Sequence, residues 1–270
     1  MRVFYIYVYM ILDREKLLRD GYLTFNIKEV DLDLYNRLYS NLQEETYSNK
    51  NWSLRYETTI IHESEKKLRE TILDYFKELN INDNHNFSID KKNETSKINS
   101  HMTRMFITGY DLNTLKSLQK KLDKFTTNKN GQSWYYKSKC PFSIELIEEL
   151  FNKTIINELY NEDIIDKDKY SEFCGIYQET DFTLYIKNNY IETHQDAEDK
   201  GRLAVFLMYL SDDYKNGYGG EIVVNNEKTV TPEFGNIVIL DFTKNNLQHE
   251  VMPVLDENFH RYAIINFLYK

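Results

Sequence analysis

The sequence predicts an α+β fold: a double-stranded β-helix, or jelly-roll, core in its second half, with supporting helices mostly from the first. Three observations predict it. After about Cys174, short runs rich in β-branched and aromatic residues follow one another at 182–186, 205–210, 221–224, 236–242 and 262–268. Turn-rich segments separate them, among them Asn216-Gly217-Tyr218-Gly219-Gly220 and Asn225-Asn226-Glu227. No helical period intervenes, so the strands must close on one another as a barrel or sandwich, and a jelly roll suits a run of this size. The amphipathic helical stripes lie earlier, which divides the chain into a mixed α/β region over 1–135 and a jelly-roll unit with its leading helix over 136–270.

Composition narrows the classes. With 270 residues, 41% of them hydrophobic, the chain can bury a full core. Nine Gly and three Pro exclude low-complexity and collagen-like architectures. The net charge of −9 makes nucleic acid an unexpected partner. Two cysteines, Cys140 and Cys174, form no CxxC pair and read as reduced structural thiols. The apolar run at 3–12 is too short to span a bilayer and lacks a small-residue cleavage site. It reads as a buried strand, which leads us to expect a cytoplasmic protein without a membrane span.

Within the first half, Leu32, Leu34, Tyr35, Leu38 and Leu42 mark one helical face. A second comprises Leu68, Ile72, Leu73, Tyr75, Phe76 and Leu79. The polar stretch 82–100 reads as a long loop, and Met105-Phe106-Ile107 as a strand. Asp111 can cap a helix running to Lys124, a turn follows over 126–133, and Pro141 with Ser143 opens a helix whose core face is Ile147, Leu150, Phe151, Ile155 and Leu159.

The chemistry lies in the strand-rich half. His194 and Asp196 are two apart, so in an extended segment an imidazole and a carboxylate share one face. A second imidazole, His249, follows 55 residues downstream. Two histidines and one carboxylate that leave the opposite positions open form the facial set of non-haem Fe(II) oxygenases. Each part alone is common by chance, and the weight comes from Arg261, 12 residues beyond His249 on the next strand. Its planar fork suits two-point carboxylate binding and stays charged in a dry pocket. Tyr262 and His260 face away by strand parity, whereas Glu192 shares the parity of His194 and reads as a solvated rim residue. His62, His85 and His101 lack partners at ligand spacing and read as surface or capping residues.

These motifs resemble the Fe(II)- and 2-oxoglutarate-dependent dioxygenases, in the prolyl 4-hydroxylase-like branch, over residues 172 to 270. Tyr185 stands nine residues before His194-Gln195-Asp196, Arg202 to Leu210 is similar to the next core strand, and Gly219-Gly220-Glu221 to the double-glycine turn. Pro232-Glu233-Phe234-Gly235-Asn236 and His249-Glu250-Val251-Met252-Pro253-Val254 complete the series, with Arg261 as the basic residue at its end. Residues 20–25 resemble the opening of such enzymes more faintly. Two positions depart from the pattern. Prolyl hydroxylases proper generally carry Lys at the position of Arg261, while Arg is similar to lysyl-hydroxylase and other branches, which leaves the target residue open. The loop glycine after the tyrosine is replaced within Lys187-Asn188-Asn189, where Asn tolerates left-handed backbone.

The resemblance implies Fe(II) held by His194, Asp196 and His249, and 2-oxoglutarate as co-substrate with Arg261 on its far carboxylate and Tyr185 as a further hydrogen-bonding partner. Ascorbate is a candidate reductant. The expected reaction hydroxylates a peptidyl side chain of prolyl or lysyl type, or a free amino acid, and releases succinate and CO2. A catalytically inactive jelly-roll binding module and an oxygenase of non-amino-acid small molecules stay open beside it. A sugar-binding or metal-storage cupin would need a third core histidine, which the motif lacks.

Overall fold

Strands buried on both faces read as near-continuous apolar runs, and the long runs of the second half do so for this reason. The computed structural model describes residues 17, 19–45, 52–80, 87–95, 100–122, 135–154, 180–196, 202–242 and 247–269. Expectations for 3–12, 126–133, Cys174, Ile155, Leu159 and His85 lie outside the described residues. The second half supplies β6 (Asp181–Tyr185), β7 (Ile191–His194), β8 (Arg202–Tyr209), β9 (Ile222–Val224), β10 (Lys228–Val230), β11 (Asn236–Asp241), β12 (His249–Val251) and β13 (Arg261–Tyr269). Strands β6, β8, β11 and β13 join one large sheet, and β7, β9, β10 and β12 a four-stranded one of order β10-β9-β12-β7. The chain therefore crosses between two antiparallel sheets at almost every turn, which is the jelly-roll path. At the β9–β10 turn it continues within the small sheet, and Asn225 and Asn226 take left-handed φ values of 51° and 57° there.

Parity divides the large sheet into two faces. Phe206, Met208, Ile237, Ile239, Tyr262 and Ile264 point outward into one core cluster with the helices. Val205, Leu207, Tyr209, Val238, Leu240 and Ala263 point inward, where they meet Ile222, Val224 and Val230 of the small sheet.

The first half extends the large sheet at both edges. Strand β1 (Tyr22–Asn26) pairs with β11, Tyr22 opposite Leu240. On the other side β5 (Tyr135–Lys139), β2 (Trp52–Ile61), β4 (Ser100–Tyr110) and β3 (Phe87–Thr95) follow β6 in that order, giving nine strands in all. The expected loop over 82–100 is thereby corrected: 87–95 is a polar edge strand paired with β4. Edge strands carry charge and lack core periodicity, which is why the pattern reads as loop.

Helices α1 (Ile27–Val30), α2 (Leu32–Glu45), α3 (His62–Glu78), α4 (Leu112–Leu122) and α5 (Ile144–Thr154) cover the outer face. Leu34, Leu38 and Leu42 of α2 and Leu68, Ile72, Tyr75 and Phe76 of α3 are buried as their spacing predicts, whereas Leu32, Leu73 and Leu79 are exposed flank positions. Asp111 caps α4 by accepting the backbone N–H of Thr114 at 3.0 Å, and Ser143 caps α5 by accepting from Leu146 at 3.3 Å. Arg37 of α2 forks onto Glu149 of α5 with both bonds at 2.7 Å. No helix among the described residues is long and apolar enough to cross a membrane.

The turn into β11 fastens the N-terminal helices to the jelly roll. Gly235 donates its N–H to the Tyr209 carbonyl at 2.9 Å and accepts from Ile27 at 2.9 Å, with φ at +87°. A Cβ there would stand 2.8 Å from Asn26 Oδ1 and 2.9 Å from Tyr35 Cε2. Gly235→Ala should therefore lower the unfolding free energy by about 1–3 kcal/mol. Urea denaturation should show a lower midpoint at unchanged slope, with a smaller loss for Gly217→Ala, where φ is +92° but a Cβ meets open space. Burial, reinforced by nearby Asp181, pushes the Cys140 thiol up to about 12. A raised thiol pKa keeps the group protonated and unreactive. Alkylation of the Cys140 peptide at pH 8, read by mass spectrometry, should run at least ~100-fold slower in the folded chain than in urea.

Candidate metal centre

Antiparallel register brings the two imidazoles together. Strand β12 lies between β9 and β7, and His249 sits directly opposite His194. Their ring centroids are 4.2 Å apart. Asp196, just past the end of β7, turns its carboxylate to both: Oδ2 is 3.3 Å from His249 Nε2, and Oδ1 is 3.9 Å from His194 Nε2. One ligand atom from each residue falls within 4.8 Å of the others. His249 is buried against Phe242, while His194 and Asp196 remain partly open, so the cluster is reached from one side.

The donor set suits a divalent metal. His194 Nδ1 lies 2.8 Å from the Glu192 carbonyl oxygen, which can only accept. That contact keeps the proton on Nδ1 and leaves the Nε2 lone pair for the metal side. Two imidazoles and one carboxylate match the ligand preferences of Fe(II), with positions left for other ligands.

Arg261 opens β13 and lies directly opposite Tyr185 of β6. It is 1% exposed, the largest fully buried side chain among the described residues. Nε donates to the Gly220 carbonyl at 2.7 Å and Nη2 to the Tyr209 hydroxyl at 3.1 Å. The rings of Tyr185 and Tyr209 each lie 4.8 Å from the guanidinium carbon. The remaining nitrogen, Nη1, is buried without a hydrogen-bond partner among the described residues, and no carboxylate among them pairs with the group. A buried cation left this way is costly unless a ligand brings the missing anion.

The double-glycine turn makes room for this guanidinium. Gly219 and Gly220 take φ values of +78° and +82°; a Cβ on Gly219 would fall 2.0 Å from the Pro253 oxygen, and one on Gly220 would fall 2.9 Å from Arg261 Cδ. Tyr185 stacks on Tyr135, with centroids 5.4 Å and planes 9° apart. Burial above all, then Tyr135, raises the Tyr185 hydroxyl well above its ordinary pKa, against the lowering pull of Arg261. Burial likewise raises Tyr209, opposed by Arg261. Both phenols stay protonated, as donors, at physiological pH.

The remaining histidines and acids fall elsewhere. Tyr262 stacks on Phe182 in the outer core, and His260 faces Lys116 at 3.1 Å. His62 begins α3 and His101 lies in β4, far along the chain from β7 and β12. Glu221 accepts from the Tyr214 hydroxyl at 2.7 Å and so closes the turn. Glu192 is half-buried beside the cluster. Sequence reasoning omitted Tyr209, although its parity with Val205 and Leu207 puts it on the inner face. It also missed Tyr135, whose place appears only once β5 is seen to pair with β6. Asn188 takes φ +69°, as expected for the substituted glycine, while buried Asn189 accepts from the Ile186 N–H at 2.9 Å.

The family model of the 2OG-Fe(II) oxygenase superfamily matches residues 180–269. No curated protein matches the chain. Among solved structures it is similar to a Pseudomonas putida prolyl-4-hydroxylase, at 12% identity over 97% of this chain and 98% of that one, with a TM-score of 0.47. It is also similar to an oxidoreductase of the 2OG-Fe(II) oxygenase family from Burkholderia pseudomallei, at 12% identity over 98% and 88% and a TM-score of 0.39. A prolyl 4-hydroxylase from Phytophthora capsici aligns at 14% identity over 79% and 68%, with a TM-score of 0.35. The segment 180–269, which carries both imidazoles, the aspartate and the guanidinium, thus matches the 2OG-Fe(II) oxygenase superfamily, and that match supports an enzyme of the 2-oxoglutarate-dependent dioxygenase class.

Proposed function

We propose that the protein hydroxylates a peptidyl side chain, of prolyl or lysyl type, or a free amino acid, with Fe(II) held by His194, Asp196 and His249 and 2-oxoglutarate held by Arg261 and Tyr185. The observation that carries this reading is the buried Arg261 Nη1, which has no acceptor among the described residues while three metal-ligand atoms gather in the same jelly roll. Bound there, Fe(II) would supply the oxidative chemistry, coupling the decarboxylation of 2-oxoglutarate to succinate and CO2 with insertion of one oxygen atom into a C–H bond.

The chain's own groups prepare the site. Arg261 offers a charge-assisted contact to the distal carboxylate of the co-substrate, and the Tyr185 hydroxyl, kept protonated by burial, can add a donor. The Glu192 carbonyl holds the His194 ring in one tautomer. Tyr185, Val251, Val254 and Phe259 form the apolar cluster that keeps water from this side of the site. In this reading 136–270 carries the chemistry and 1–135 supports it, through the strands that continue the large sheet and the helices on its outer face.

Asp196→Ala should abolish Fe(II)-dependent succinate release and weaken Mn(II) binding, measured by calorimetry, at least ~100-fold, as expected for loss of one of three protein ligands. His249→Ala should lose both as well. Arg261→Ala should instead raise the 2-oxoglutarate requirement by about 2–4 kcal/mol, roughly 30- to 900-fold, while Mn(II) binding stays as in wild type. Equal loss of metal and co-substrate in Arg261→Ala would contradict the assigned division of labour. If the wild-type protein binds Mn(II) and 2-oxoglutarate but releases no succinate with Fe(II), O2 and ascorbate, it is a binding module and the hydroxylase reading fails.

A further inference from the structure

A second pocket lies on the inner face of the large sheet where β5, β2 and β4 extend it beyond the jelly roll. It encloses about 740 Å³, within the range of small-molecule sites, and its lining includes Ser53, Arg55, Thr108, Lys137, Lys139 and Asp181. Lys137 and Asp181 pair with one another, so their charges largely cancel. Arg55 is different. Its guanidinium carbon stands 4.5 Å over the Phe106 ring, and no carboxylate among the described residues pairs with it. Stacking fixes the plane of the fork and leaves its edge donors aimed away from the ring. Exposed Lys139 adds a second cation, opposite Asp181 in register but in no ion pair among the described residues. The local balance is positive in a chain whose net charge is −9, so this pocket runs against the global field.

Register ties the pocket to the co-substrate site. Phe106, Arg55, Tyr135, Tyr185 and Arg261 occupy one row across five neighbouring strands, with Arg55 opposite both Phe106 and Tyr135, and Arg261 opposite Tyr185. The stacked rings of Tyr135 and Tyr185 stand between the two guanidiniums. Three strand spacings, roughly 14 Å, separate the backbones of Arg55 and Arg261. That spacing, with the stacked rings between, suits two separate anions better than one.

We infer that this pocket binds a carboxylate carried by the substrate, with Arg55 as its anchor and Lys139 as auxiliary charge. The inference rests on the hydroxylase reading for the word substrate, whereas the carboxylate site itself is independent of turnover. The preference it confers is for acidic or carboxy-terminal segments, a specificity opposite to the one the net charge alone suggests.

The test uses the full chain loaded with Mn(II) and 2-oxoglutarate, and three N-acetylated hexapeptides that differ only in charge: one with a glutamate and an amidated C-terminus, its glutamine twin, and that twin with a free C-terminal carboxylate. Calorimetry should show at least one carboxylate-bearing peptide binding tenfold or more tighter than the neutral amide. Which of the two gains identifies the source of the carboxylate. Arg55→Gln should erase the gain, Arg55→Lys should keep part of it, and Lys139→Gln should reduce it a few-fold. 2-Oxoglutarate affinity, measured on the same samples, should be unchanged in all three variants. The gain should also persist in Arg261→Ala. Equal binding of the three peptides by wild type, or a gain that survives Arg55→Gln or vanishes in Arg261→Ala, overturns the proposal. None of these outcomes touches the succinate assay, so this site and the hydroxylase reading fail separately.

Discussion

One buried guanidinium constrains the centre of this protein. Arg261 is 1% exposed and is satisfied on two of its three nitrogens by the Gly220 carbonyl and the Tyr209 hydroxyl. Moving such a group out of water costs several kcal/mol even after relaxation, so the surrounding structure must hold it firmly, and an anionic ligand would complete it. Both requirements shape the neighbourhood. At left-handed Gly220 any Cβ would strike the arginine side chain itself, and at Gly219 it would strike the Pro253 carbonyl. The aromatic walls of Tyr185 and Tyr209 supply cation–π contact where a carboxylate would have neutralised the charge and removed the reason for a ligand to bind.

The jelly roll converts this local arrangement into a site by register alone. Antiparallel pairing of β12 with β7 sets His249 opposite His194, and pairing of β13 with β6 sets Arg261 opposite Tyr185. A slip of one residue in either pair would turn one of these side chains to the other face of its sheet. The apolar inner positions of the large sheet, Val205, Leu207, Val238, Leu240 and Ala263, pin that register through their contact with the small sheet. The outer face, packed on α2, α3, α4 and α5, holds the large sheet from behind. The N-terminal half contributes to the same construction, since β1 extends the large sheet beyond β11 and β5 continues it beyond β6.

Much of this was legible in the sequence because the relevant signals are local. The HxD spacing, the downstream His249, the double glycine and the runs of the second half each express a period or a turn within a few residues. The strands β8, β11 and β13 were visible for the further reason that burial on both faces leaves few polar interruptions. What escaped depends on long-range pairing. Strand β3 is polar because it lies at a sheet edge, and Tyr135 gains meaning only through its stack on Tyr185, 50 positions away in the chain. Leu32, Leu73 and Leu79 fit a helical stripe but fall at its margins, where the helix surface turns to solvent. Arg55 could not be singled out from sequence at all, because its lack of a carboxylate partner among the described residues is a property of the fold.

The central claim is that one pocket offers a metal to one end of a five-carbon diacid and a guanidinium to the other. Glutarate has the same length and both carboxylates as 2-oxoglutarate and lacks only the oxo group. Calorimetric titration of each compound into the protein, with and without Mn(II), separates the two ends. The expected result is that 2-oxoglutarate outbinds glutarate by a wide margin when the metal is present and that the two bind alike when it is absent. Equal affinities in the presence of Mn(II) would contradict the account, because the metal would then make no use of the oxo group by which the co-substrate is chelated.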